Sequence, residues 1–297
     1  MISTGIGIFA FSLGLYVRIF APKEPVRNYF FYLTISLSLW MLFLGQRGSF
    51  GLEHRNLLIN WTLLPIIFAP YLLHEVVSSL LSIKRSNLFR KFEYTCNFIL
   101  LLYFSIVILS CNVVMIRKPE NFSYTPTWNY HLIIGYCCFY ILVSCFKAFF
   151  SIFKSRGDER VKAFLLFSGI IISLSVSLIF VYILPLLGYF LASKSAFGII
   201  ISSAFWTIAI LHYDAFSIRE NILEGNPIPI LTRLSSSFFL VLFRILDPSE
   251  YYMRLLVSKA NIVLSVTSKN HELAMMTDLE RFERAEMVAG IYQNRIK

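Results

Sequence analysis

An imidazole and a carboxylate stand side by side at His74-Glu75, inside an otherwise apolar run from Leu57 to Ser82. A glutamate in hydrocarbon is costly unless it is paired, protonated or facing water, so an ionisable residue there marks a functional site by default. His212 closes the last of the chain's long apolar runs on the same predicted side of the membrane. His74, Glu75 and His212 are therefore the candidate polar site, one that could take a small-molecule ligand. Two roles fit His74 and Glu75: membership of an interhelical hydrogen-bond network, or a site open to a ligand.

Other chemistry is not encoded in a recognisable pattern. A His-Glu-x-x-His zinc site needs a second histidine one helical turn on, and position 78 is Ser78. Cys96, Cys111, Cys137, Cys138 and Cys145 all lie inside apolar runs, where cysteine behaves as a small hydrophobe rather than as a disulfide or metal framework. There is no Gly-rich phosphate loop, nucleophile elbow or Cys-x-x-Cys pair. We therefore assign no catalytic residues, no metal and no cofactor, and expect a protein that is not an enzyme. Asn121-Phe122-Ser123 fits the glycosylation pattern, which matters only in a secretory pathway.

The elements that must position these residues are membrane spans. The chain has 297 residues, 57% hydrophobic and 15% charged, too apolar for one water-soluble core. Seven apolar runs follow one another: Ile2 to Phe20, Tyr29 to Gly45, Leu57 to Ser82, Tyr94 to Ile116, Tyr130 to Phe153, Val161 to Leu191 and Ala196 to Leu211. A helix needs about 20 residues to cross a bilayer core of about 30 Å, and the short alternating segments of a barrel are absent. The predicted class is all-α: a polytopic seven-helix bundle in contact with the lipid bilayer.

Charge sets the orientation. Of the Lys and Arg in the connecting loops, ten lie in the odd loops and five in the even ones, which puts the N-terminus outside and the tail in the cytoplasm. Residues 1 to 214 hold 17 Lys plus Arg against 8 Asp plus Glu, and residues 215 to 297 hold 10 against 9. The basic surplus thus sits where orientation signals and headgroup contacts belong, and no nucleic-acid partner is expected. Pro65, Pro70 and Pro185 should kink the third and sixth spans, because proline removes a donor and clashes with the preceding turn. Kinks open space between neighbouring helices.

Beyond the seventh span the composition changes. Asn226-Pro227-Ile228-Pro229 breaks the chain, and Ile230 to Leu246 places Arg233, Ser237 and Arg244 on one helical stripe, as in an amphipathic helix lying on the membrane. Asp247-Pro248-Ser249-Glu250 should cap and start a helix, with Glu250 returning a bond to the cap and a break expected near Ser268. Leu255, Ile262, Val266, Leu273 and Met276 form a coiled-coil-like seam, through which a homodimer is expected. The predicted domains are 1–222, a sensor-like membrane domain; 223–246, a juxtamembrane amphipathic helix; and 247–297, a helical tail.

Leu186-Leu187-Gly188-Tyr189, then Phe205-Trp206-Thr207-Ile208-Ala209-Ile210 running into Tyr213, Phe216 and Ile218, resembles the end of the N-terminal seven-helix region of bacterial histidine kinases and related signalling proteins. Asp214-Ala215-Phe216 stands where that family has a Leu-Phe-Asp-like turn, and Leu64-Pro65-Ile66-Ile67-Phe68 is similar to its proline-bearing third span. The resemblance covers about residues 1 to 222. It implies a signal-input module in a bacterial inner membrane, with Trp206, Tyr213, Asp214 and Phe216 as the relay to a cytoplasmic output. Relatives carry a kinase, cyclase or phosphatase there, whereas here a helical tail follows, so the expected output is a cytoplasmic signalling partner or a homodimer. Asn270-His271-Glu272-Leu273 is similar to a phosphoacceptor box, but Ala274-Met275-Met276 replaces its Arg-Thr-Pro, and it is read as a solvent-facing histidine. A small-solute or ion transporter is the alternative.

Overall fold

A computed structural model of the chain describes residues 2–83, 86–118, 122–212, 216, 229–277 and 280–293. Lys84, Arg85, Asn121, Tyr213, Asp214, Ile218 and the Asn226-Pro227-Ile228 break lie outside the described residues. Among the described residues there are seven helical segments long and apolar enough to cross a membrane: Ile2–Phe20, Pro25–Ser49, Leu52–Leu80, Asn87–Leu109, Trp128–Lys154, Asp158–Leu186 and Ala192–Leu211. The chain separates into two units, residues 1–154 with 162–211, and residues 155–161 with 212–297.

In the first unit, α1 (Ile2–Phe20) and α2 (Pro25–Gln46) form a close antiparallel pair. A side chain at Gly7 of α1 would bring its Cβ within 3.0 Å of the Ser38 carbonyl oxygen, so the approach depends on glycine. The third span is not one helix but three pieces, α3 (Arg55–Trp61), α4 (Leu63–Ile66) and α5 (Ala69–Leu80). The breaks at Thr62 and at Ile67-Phe68 bracket Pro65, and the second leaves Pro70 in the first turn of α5, as the missing donors require. Ser36 Oγ of α2 donates to the Pro65 carbonyl.

The fourth span, α6 (Asn87–Leu109), starts at Ser86, whose hydroxyl accepts the Phe89 N–H at 3.3 Å. It ends earlier than its apolar run predicts. Val114–Lys118 leave the helix as β1 and pair antiparallel with β2 (Ser123–Pro126). The fully buried Asn60 holds this hairpin on α3: its Oδ1 accepts the N–H groups of Val113 and Val114 at 3.2 and 3.1 Å, and its Nδ2 donates to the Val114 carbonyl. Hydropathy could not distinguish strand from span here, because Val-Val-Met-Ile suits both.

α7 (Trp128–Lys154) packs against α5, and α8 (Asp158–Ser177) continues as a π-helical turn, Leu178–Ile183, into the short α9 (Leu184–Leu186). The irregularity has an identifiable cause. Pro185 cannot donate to the carbonyl four residues back, Val181, and the Tyr130 hydroxyl of α7 donates to that carbonyl instead. α10 (Ala196–Leu211) is the seventh span and packs on α1.

The second unit contains α11 (Ile230–Leu246), α12 (Pro248–Met276) and α13 (Arg281–Gln293). α11 has three stripes. Thr232, Ser235, Phe239 and Phe243 are buried; Leu234, Phe238, Val241 and Ile245 are an exposed apolar row; and Arg233, Ser237 and Arg244 are exposed beside it. Asp247 caps α12, accepting the Glu250 N–H at 3.4 Å, with Pro248 at the first position. Glu250 does not return the expected bond: its carboxylate takes Arg254 at 3.4 Å, while the Asp247 N–H goes to the Phe243 carbonyl. Nor does α12 break near Ser268; it runs unbroken to Met276, because no helix-breaking residue interrupts it, and ends where Thr277 turns extended. Gly157, at φ +61°, donates its N–H to Asp247 Oδ2 at 2.9 Å, and Arg254 pairs with Asp158 at 2.5 Å.

Candidate functional site

α5 carries Tyr71, His74, Glu75 and Ser78, spaced three, four and seven residues from Tyr71 and hence on one face. α7 turns Tyr136, Tyr140, Ser144 and Lys147 the same way, and α6 contributes Glu93 and Asn97. These three spans bring a charged cluster together in the interior. His74, Glu75 and Ser78 are buried, and the Glu93 side chain is 13% exposed. His74 Nε2 lies 2.9 Å from Lys147 Nζ and 3.1 Å from Glu93 Oε1. Lys147 also donates to Ser78 Oγ at 3.1 Å. The Tyr140 ring stands edge-on to His74 and to Tyr71, each at 5.6 Å, and the Tyr136 hydroxyl donates to Asn97 Oδ1 at 2.7 Å.

The hydrogen bonds constrain the protons. Ser144 Oγ donates to the Tyr140 carbonyl at 2.7 Å, so toward His74 Nδ1, 3.4 Å away, it can only accept. The network therefore places a proton on Nδ1. Nε2 then has two incompatible partners. It accepts from the Lys147 ammonium if it is bare, and donates to the Glu93 carboxylate if it is protonated. These contacts tie one imidazole of α5 to side chains of α6 and α7, so the cluster links three helices.

A nitrogen of His74 and carboxylate oxygens of Glu75 and Glu93 lie within 4.8 Å of one another, the donor set of a cation site. Lys147 already supplies positive charge 2.9 Å from the imidazole nitrogen, so a metal ion would have to displace its ammonium. The arrangement fits an ion-pair network better than a metal centre.

His74 and Glu75 thus share a site, with Glu93 and Lys147 as partners the sequence reading missed. Lys147 had a visible signal, as the one Lys, Arg, Asp or Glu between Tyr130 and Phe153. Glu93 did not, because it stands beside Arg90 and Lys91 at a span's polar end. His212 is found in the second unit, where its Nε2 is 2.7 Å from Ser235 Oγ and its ring lies against Phe239. Ser235 donates to the Leu231 carbonyl, so it accepts from His212, and burial pushes the imidazole pKa down to about 4. Asp247, near Arg160, is held below its ordinary value chiefly by the Gly157 N–H.

Of the relay residues, Tyr213 and Asp214 lie outside the described residues, and Phe216 is buried against Phe243 and Tyr251 in the second unit. Trp206 is 2% exposed in α10, and its Nε1 has no hydrogen-bond partner among the described residues. It lines an apolar cavity of about 100 Å³ in the first unit, which Pro70 at the start of α5 also lines.

Seven helices long and apolar enough to cross a bilayer, with an ionisable cluster buried between three of them, define an integral, multi-pass membrane protein. The family is more specific. The family model for the N-terminal seven-transmembrane region of histidine kinases matches residues 3–219, and the chain belongs to that family. No curated protein and no solved structure matches the chain.

Proposed function

We propose that this protein is a membrane-embedded signal-input module that passes a stimulus through the seventh span to its helical tail or to a cytoplasmic partner. The observation that carries the reading is the buried His74–Glu93–Lys147 cluster. Ionisable groups inside a membrane bundle are retained for function, and this one links three spans through an imidazole with two alternative partners. The input domain is residues 1–222, followed by the juxtamembrane helix at 223–246 and the tail at 247–297. The excess of basic residues in the odd loops supports an external N-terminus and a cytoplasmic tail, in a bacterial inner membrane. The exposed apolar row of α11, flanked by Arg233 and Arg244, suits a helix lying in the headgroup region. Family membership favours input over transport, and we assign the protein no catalysis of its own.

The test is disulfide crosslinking of single cysteines placed along Leu255 to Met276, in membranes, with the five native cysteines replaced. It is run with Glu75 intact and as Glu75→Gln. Crosslinks at heptad spacing that shift with the substitution are the expected result. Unchanged crosslinks in both backgrounds would remove the link between cluster and tail, and no crosslinks at any position would remove the dimeric tail.

A further inference from the structure

Three sides follow one another in a fixed order around the axis of α11. At about 100° per residue, Ile230, Val241, Leu234, Ile245 and Phe238 fall within an arc of about 80°, and all five are exposed. Arg233, Arg244 and Ser237, also exposed, occupy the arc directly beside them. The buried residues Thr232, Ser235, Phe239 and Phe243 lie across the helix from the apolar row. That third side fixes the rotation of the helix. Ser235 accepts from His212 at 2.7 Å, and the Phe243 ring lies 5.9 Å from that of Phe216 and 5.8 Å from that of Tyr251. The apolar row therefore cannot turn inward without breaking those contacts.

Charge decides what covers the row. Ile230–Leu246 contains no Asp or Glu, and neither Arg233 nor Arg244 forms an ion pair among the described residues. A second copy of this helix laid on the row, in either direction, would set arginines beside arginines and bring no carboxylate to meet them. A bilayer surface satisfies both strips. Its hydrocarbon takes the apolar row, and its headgroup phosphates take the guanidinium groups that the long arginine stems lift to their level. α11 follows the seventh membrane-spanning helix in the chain, so a bilayer is at hand. A leaflet with net negative charge favours each such arginine by about fivefold, the equivalent of about 1 kcal/mol.

We propose that α11 is a binding site for anionic phospholipid, with its apolar row among the acyl chains and Arg233 and Arg244 each holding a headgroup phosphate. The two arginines are eleven residues and so about 16 Å apart along the axis, which makes the site one for two separate lipids. The proposal deepens the input-module reading by naming the lipid that α11 takes. It rests on the placement of α11 at the membrane surface and not on the relay.

The experiment uses the full chain in nanodiscs, with the five native cysteines replaced and a bimane label on one new cysteine, Leu234→Cys or Val241→Cys. The bilayer is an equal mixture of phosphatidylglycerol and phosphatidylcholine in every sample. Only the lipid that carries bromine on its acyl chains differs between the two arms, so the extent of docking is the same in both and the ratio of quenching reads the lipids beside α11. Brominated phosphatidylglycerol should quench as though enriched about fivefold over phosphatidylcholine. Arg233→Gln with Arg244→Gln should bring the ratio close to one, and Arg→Lys at both positions should keep most of the preference. Two label positions guard against one that disturbs the helix, and the parent reading needs no arginine variant. Equal quenching in the two arms of the parent, or a preference unchanged in the double glutamine variant, would overturn the proposal. No quenching in either arm at either position would overturn it together with the placement of α11 at the membrane surface. A clear preference, found while Glu75→Gln leaves the tail crosslinks unchanged, would leave this site standing and remove the relay.

Discussion

Lys147→Met removes the ammonium from the buried cluster and keeps most of the side chain's volume. Nζ of Lys147 and Oε1 of Glu93 lie 2.9 and 3.1 Å from the same imidazole nitrogen, so they are at most about 6 Å apart. At an effective dielectric of about 20, opposite charges at that limit attract by about 3 kcal/mol, which agrees with the 3–5 kcal/mol lost when one member of a buried pair is removed. For a chain of this size each kcal/mol moves the unfolding temperature by about 2–4 °C, so the variant should unfold roughly 10 °C below the parent. Thermal unfolding in nanodiscs, followed by the reactivity of the native cysteines toward a fluorogenic maleimide, reads this directly. Cys145 is buried one half-turn from Lys147 and reports on the region concerned. Glu93→Gln with Lys147→Met should recover most of the loss, because no uncompensated carboxylate then remains at position 93. A single variant that unfolds at the parent temperature, or a double variant whose loss is the sum of the single ones, would refute the coupling of the two charges.

Two further outcomes follow from the same geometry. Asn60→Ala should destabilise the first unit by about 2–4 kcal/mol, since it strips the acceptor from two buried backbone N–H groups; a loss below about 0.5 kcal/mol in the same assay would show that the hairpin does not depend on this side chain. His212, whose pKa is about 4 in the folded chain against an ordinary 6.5, favours the folded state fully above pH 6.5 and loses that contribution as pH falls toward 4. The loss is about 2 kcal/mol at pH 5. Amide exchange over residues 230–246, corrected for intrinsic rates, should therefore quicken between pH 7 and pH 5, and His212→Gln should abolish the dependence. Asp247 titrates below 3.8 and so falls outside that window. A wild-type profile as flat as the variant's would sink the assignment.

The sequence alone determined the architecture of this protein wherever the controlling physics is local. Seven spans are legible because crossing hydrocarbon needs about 20 consecutive apolar residues, whatever their neighbours. The breaks at Pro65, Pro70 and Pro185 follow from a missing N–H, and the start of α12 from Asp247 and Pro248. The resemblance near Trp206 already pointed to the family. His74 and Glu75 announced a site because charge is rare inside a span. Only tertiary structure decided what completes that site. Glu93 and Lys147 reach His74 from two other helices, and helix rotation and neighbour order, which bring them there, leave no periodic signature in the chain. For the same reason β1 could not be separated from the end of the fourth span, since apolar β-branched residues serve a strand and a span equally. The cavity beside Trp206 is the clearest case. Each proline is visible in the sequence, but the space they open exists only where the irregular stretches of the third and sixth spans face each other across it.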